Sequence, residues 1–151
     1  MKKVVTLSMM WSLCTCSQTS SEIDTVGQSM IPMSDTYQKA APVYGNQYFE
    51  NGKKKPYTGI LYGKYDNGQL MTLQEYTDGI GNGTWVQFNP DGTKQEQGTY
   101  KENRVEGPVT QYWEDGSVKA KGYYRHWKQP IGKWTYYDRK GNIVHTMTYT
   151  R

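Results

Sequence analysis

Three landmarks recur in phase along this sequence, and they limit its fold more than any other feature. Gly59, Gly83, Gly107 and Gly132 are spaced by 24, 24 and 25 residues. Gly68, Gly92, Gly116 and Gly141 each follow nine residues later, and Tyr76, Tyr100, Tyr124 and Tyr149 keep the same spacing. Self-similarity at a fixed period marks a repeat array, in which each unit is one supersecondary element that buries its surface mainly against its neighbours.

The stretch 83–100, GTWVQFNPDGTKQEQGTY, shows what one unit is. Trp85, Val86 and Phe88 are bulky strand residues, and Thr99 and Tyr100 close a return strand. Between them lies Asn89-Pro90-Asp91-Gly92. Pro90 presets φ at the first central position of a turn, Asp91 suits the second, and Gly92 takes the left-handed conformation that sends the strand back. The unit is a β-hairpin, and the fold class is all-β.

Two positions after each opening Gly stand Leu61, Trp85, Val109 and Trp134, and five after it Lys64, Phe88, Tyr112 and Tyr137. These offsets have opposite parity, so a regular strand points them to opposite faces. Either both faces carry aromatics, or a bulge re-aims one set. Gly98 and Gly122, two residues before a closing Tyr, leave gaps for a neighbouring ring. Trp85 and Trp134 hold equivalent positions and are expected to be buried. Units join through Asp78-Gly79, Glu102-Asn103 and Arg125-His126. The last connector carries the one residue that breaks the 24-residue period. Its residues Arg125, His126, Trp127 and Lys128 are the candidate partner contact, with Trp127 expected to be exposed; alternatively Trp127 folds over the sheet edge and caps the last unit.

Composition agrees with hairpins better than with helices. Aliphatics are few, whereas Tyr is present 14 times, Trp 5 times and Gly 16 times, and the mean hydropathy is −0.89. Rings lying on a sheet suit this balance. The formal charge is +4 and the basic residues are interleaved with acidic ones, which does not call for nucleic acid.

The chain begins with a targeting signal. Lys2 and Lys3 precede an apolar run from Val4 to Leu13, too short for a span of about 20 residues. The only two cysteines, Cys14 and Cys16, end this leader. Leu13-Cys14-Thr15-Cys16 resembles the lipobox of bacterial lipoproteins, which implies a signal peptide over 1–15 and diacylation of Cys16; an ordinary signal peptide is the alternative. Residues 16–44 then read as a lipidated N-terminus and flexible tether, rich in Ser, Thr and Gln and broken by Pro32 and Pro42. Within it, Met30-Ile31-Pro32-Met33 is a patch able to dock on the sheet. Tyr48-Phe49-Glu50-Asn51-Gly52 repeats the strand-to-turn signature as a degenerate half-unit, and Lys53-Lys54-Lys55 reads as a solvated edge or an anionic-surface contact.

The units GTWVQFNPDGTKQEQGTYKENRVEG and GPVTQYWEDGSVKAKGYYRHWKQPIG resemble the variant MORN repeat, with its Gly, aromatic, Tyr-rich strand end, turn Gly and closing Tyr. The opening segment KKKPYTGILYGKYDNGQL is similar to the start of bacterial YwqK-like antitoxins, which are built of such repeats. The resemblance covers 45–151. It implies an elongated antiparallel β-meander, a single twisted open sheet of about four hairpins with units starting near 59, 83, 107 and 132. MORN repeats are linked elsewhere to membrane association and scaffolding.

Catalytic constellations are close to absent. His126 and His145 have no cysteine to join them in a metal site, no Gly-x-Ser-x-Gly elbow occurs, and 79–83, GIGNG, falls on a unit boundary without a helix to aim amides at phosphate. The expectation is a protein that is not an enzyme and carries no cofactor. Two classes remain. One is a lipid-anchored binding or scaffold module of the cell envelope, presenting aromatics to a protein, glycan or lipid partner. The other is an immunity or antitoxin protein that blocks a cognate toxin.

Overall fold

The computed structural model describes residues 22–150; the leader and Cys16 lie outside them. The strands in chain order are β1 (Met30–Pro32), β2 (Thr36–Ala41), β3 (Gly45–Glu50), β4 (Gly59–Lys64), β5 (Leu70–Thr77), β6 (Ile80–Phe88), β7 (Lys94–Lys101), β8 (Arg104–Val105), β9 (Gly107–Tyr112), β10 (Val118–Arg125), β11 (Gln129–Tyr137) and β12 (Ile143–Tyr149). From β4 onward each strand pairs antiparallel with the next, β8 lying beside β7 at the edge of the path, so the four hairpins form one open sheet.

Every hairpin tip has the same build. The Asn89 carbonyl accepts the Gly92 N–H at 2.9 Å, and the Asn89 N–H donates to the Thr93 carbonyl at 2.8 Å. Gly92 sits at φ 88°. This is a three-residue loop, a type I turn closed by a left-handed residue. The tips opened by Tyr65, Trp113 and Asp138 repeat both bonds. Asp91 tightens its tip by accepting the Thr93 N–H at 2.9 Å and the Thr93 hydroxyl at 2.6 Å.

Just past each tip the return strand carries one extra residue. Gln87 pairs with Glu96 and Phe88 with Lys94, leaving Gln95 without a cross-strand partner; Met71, Lys119 and Val144 are left over in the same way. The bulges therefore lie on the return strands, and the outgoing strands keep their alternation. Trp85 packs with Val109, Ala120, Tyr124 and Trp134 on one face, whereas Phe88 packs with Ile60, Leu73 and Val86 on the other. Both faces carry aromatics.

A second irregularity explains the opening glycines. Gln74 pairs with Trp85 but Tyr76 with Gly81, so β6 spends two additional residues where one unit passes to the next. Gly83 occupies this bulge at φ 110°, and a Cβ there would lie 3.0 Å from the Glu75 Cβ. Only glycine meets both demands.

The main core lies on the Trp face around the third unit. Trp85 leans over Gly98, where a Cβ would lie 2.8 Å from the indole, and Trp134 leans over Gly122 with a still closer approach. The two indoles thus converge from opposite sides on the smaller Val109 and Ala120. Each is only 3% exposed, and burial of such a side chain stabilises the sheet by about 2–3 kcal/mol.

The N-terminal boundary differs from the sequence expectation of a tether running to residue 44. Met30, Ile31 and Pro32 pair in parallel with Ile60, Leu61 and Tyr62, and Ile31 and Met33 pack on Tyr57, Leu61 and Tyr76. Pro32 is tolerated because an edge strand leaves its missing N–H unneeded. Tyr48-Phe49-Glu50 does not extend the main sheet as a half-unit. It belongs to β3, which pairs with β2 in a separate hairpin. That hairpin docks through the Tyr48 N–H on the Gly79 carbonyl at 2.9 Å and the Tyr57 N–H on the Tyr48 carbonyl at 3.0 Å.

Candidate functional site

The docked N-terminal hairpin and the connector ends of the sheet enclose a cleft of about 400 Å³ on the Trp face. Asn103 builds its wall. Its backbone adopts φ 62° in the two-residue turn after β7, a conformation Asn tolerates better than most residues. From there its carboxamide donates to the Tyr44 and Asn46 carbonyls at 2.9 and 2.7 Å and accepts the Gly81 N–H at 2.6 Å. One side chain thus pins the hairpin loop to β6.

Aromatic rings supply much of the remaining surface, with Met33 and Gln74 beside them. Tyr48 meets Tyr76 at 4.9 Å between centroids, and Tyr100 leans toward Trp85 at 6.2 Å. Burial raises the Tyr76 phenol well above its ordinary range, with the neighbouring Tyr48 and Tyr100 adding to it. Burial likewise raises Tyr100. These hydroxyls stay neutral, and Tyr76 donates to the Gln74 carboxamide oxygen at 2.9 Å. No Asp, Glu, Lys, Arg or His lines the cleft.

The connector after β10 reaches back over this face. His126, Trp127 and Lys128 have φ values of 41°, 62° and 64°, three consecutive left-handed residues that cost backbone energy in the absence of glycine. Lys128 Nζ stands 4.5 Å over the Trp85 ring and donates to Glu96 at 2.5 Å. Glu96, 7% exposed, also accepts the Tyr124 hydroxyl at 2.7 Å and the Gln111 amide at 3.2 Å. Three donors satisfy its charge, as a buried carboxylate requires. Burial, followed by this bond to Glu96, pushes the Tyr124 phenol up.

Of the four connector residues singled out from sequence, the structure places one, Trp127, at the cleft. Lys128 is tied down over Trp85, and Trp127 lines the cleft while 66% exposed. Arg125 closes β10 opposite Gln129, and His126 is exposed at the bend. Tyr44, Asn46, Tyr48 and Glu96 were not singled out from sequence. Glu96 had a signal: at its place in the other units stand Thr72, Ala120 and His145, so an acid on the core face was already anomalous. The hairpin residues had none, because docking across about 30 to 60 residues of chain brings them to the cleft.

Among the described residues no group of three or more His, Cys, Asp or Glu is placed to hold a metal ion, and no helix is long and apolar enough to cross a membrane. No curated protein and no solved structure matches the chain. Two of its units have a recognisable kin: residues 82–102, the β6–β7 hairpin, and residues 105–126, the β9–β10 hairpin with its lead-in, each match the MORN repeat variant.

Proposed function

We propose that this chain is a non-enzymatic binding module of the bacterial cell envelope, held at the membrane by a lipid on Cys16 and binding its partner at the Trp127 cleft. The observation that carries this reading is Trp127 itself. A large ring left 66% exposed on a left-handed backbone gives packing little and offers a partner a rigid contact at low entropic cost. Glu96 supports a role without catalysis, since its lone pairs are committed to Lys128, Tyr124 and Gln111. Confinement of both cysteines to the leader supports the anchor, and the chains of a diacylated terminus supply the two hydrophobic signals that stable attachment needs.

Two experiments test it. A fatty-acid analogue fed to cells should label the wild type and spare Cys16→Ser; equal labelling of both removes the anchor. A photo-crosslinking residue at position 127 should capture envelope material, whereas one at Tyr123, exposed on the opposite face, should not. Equal capture at both positions removes the site. A single stable complex with the product of an adjacent toxin gene would place the chain with the antitoxins instead.

A further inference from the structure

The lining of the cleft narrows the class of ligand that it can take. We propose that the cleft takes a short neutral oligosaccharide, a proposal that rests on the cleft being a binding site at all. Its volume of about 400 Å³ falls within the range of pockets for small ligands, and is small for the broad, flat contact of a folded protein. Its chemistry is two-sided. Exposed rings of Tyr44 and Trp127 come from the N-terminal hairpin and the last connector. Between them lie neutral polar groups, among which the Tyr100 hydroxyl and the Asn46 carboxamide have no hydrogen-bond partner among the described residues.

A pyranose matches this pattern. One face of the ring presents C–H bonds that rest on an aromatic face, while its equatorial hydroxyls need donors and acceptors at the rim. The aromatic face carries the negative side of a quadrupole, and no cationic side chain lines the cleft. A carboxylated or sulfated sugar, or an anionic lipid headgroup, would therefore enter without a counter-charge. A quaternary ammonium would meet rings but no carboxylate. The ion pair next to Trp127 in the chain, Lys128 with Glu96, is already closed on itself.

The test is titration of the full-length chain, in detergent, with three free trisaccharides: the β-1,4-linked N-acetylglucosamine trimer, cellotriose and maltotriose. Galacturonic acid trimer and choline serve as charged probes. NMR reports the indole N–H signals of Trp85, Trp113, Trp127 and Trp134, the four tryptophans that follow the leader. At least one neutral trisaccharide should shift the Trp127 signal while leaving Trp134 in place, and should bind more tightly than either charged probe. Trp127→Ala should weaken it about ten-fold, in line with loss of one ring contact, with the melting temperature unchanged. Tyr100→Phe, which keeps the ring, should weaken it by a smaller factor.

No response to any of the three, binding undiminished in Trp127→Ala, or preference for the acidic trimer or choline would each overturn the proposal. If the sugars fail while the crosslinker at position 127 still captures a partner, the ligand class is wrong and the binding module stands. If both fail, the module reading falls as well.

Discussion

The connectors of the four-hairpin sheet divide into two kinds. Asp78-Gly79 and Glu102-Asn103 are two-residue turns, and both are covered: Gln47 donates to the Asp78 carbonyl at 2.7 Å, and Asn103 holds the Tyr44 and Asn46 carbonyls. The connector His126-Trp127-Lys128 has one residue more and presents Trp127 to solvent. The first two close the sheet and dock the N-terminal hairpin. The third interrupts the period and leaves its largest side chain unburied, whereas left-handed non-glycine residues occur in all three connectors. Regular units thus serve the fold, and the departure from regularity is where the proposed binding site lies.

This contrast is broken most severely from the core side. Trp134→Ala should cost about 3–5 kcal/mol in denaturant unfolding, because Gly122 beneath the ring leaves nothing to fill the space. A loss below about 1 kcal/mol would show that the two indoles do not hold the third unit together. Asn103→Ala comes next, at about 1–3 kcal/mol, since it leaves the Gly81 N–H and two loop carbonyls without their partner. Hydrogen exchange should then rise first in β2 and β3; a uniform rise over the whole sheet would mean that the hairpin is not separately pinned.

Alkaline pH gives a third handle. Tyr76 and Tyr124 are raised by burial, and the hydrogen bond to Tyr149, ahead of burial, pushes Tyr136 up to about 12. A folded-state value above the unfolded value near 10 means that the neutral phenol is the form the fold favours. Their stabilisation is therefore complete below pH of about 10 and is lost as pH rises through the folded values. The tyrosinate absorbance should rise in two steps, exposed rings first and buried rings with unfolding. A single step near pH 10 with the sheet intact would contradict the packing described. Smallest of all, Trp127→Ala should change stability by no more than about 0.5 kcal/mol, as at other exposed positions.

The hairpins were legible in the sequence because each landmark has a backbone reason: Gly92 for its φ of 88° at the tip, Gly83 for the bulge against Glu75. The gaps at Gly98 and Gly122 were legible for a different cause, since a Cβ there would strike the Trp85 and Trp134 indoles. The parity of Trp85 and Phe88 was readable but ambiguous, since an extra residue such as Gln95 leaves no mark in the sequence. Docking of the N-terminal segment was legible as the alternative that the apolar patch Met30-Ile31-Pro32-Met33 offered and that β1 realises. Its strand pairing was not, since three residues with Pro32 among them are too short to show alternation. The cleft was hidden more deeply. Trp127 was visible as an irregularity, but Tyr44 and Tyr48 become its neighbours only when Asn103 seats the hairpin, and no local pattern encodes that docking.

Deleting His126 tests the division of labour between the connectors most directly. It leaves Trp127-Lys128 as a two-residue turn between Arg125 and Gln129 and restores the 24-residue spacing. The melting temperature should stay the same or rise, while capture of envelope material through a crosslinker at position 127 is lost. A fall in melting temperature as large as that of Trp134→Ala would contradict this, and would show that the extra residue is there to cap the sheet.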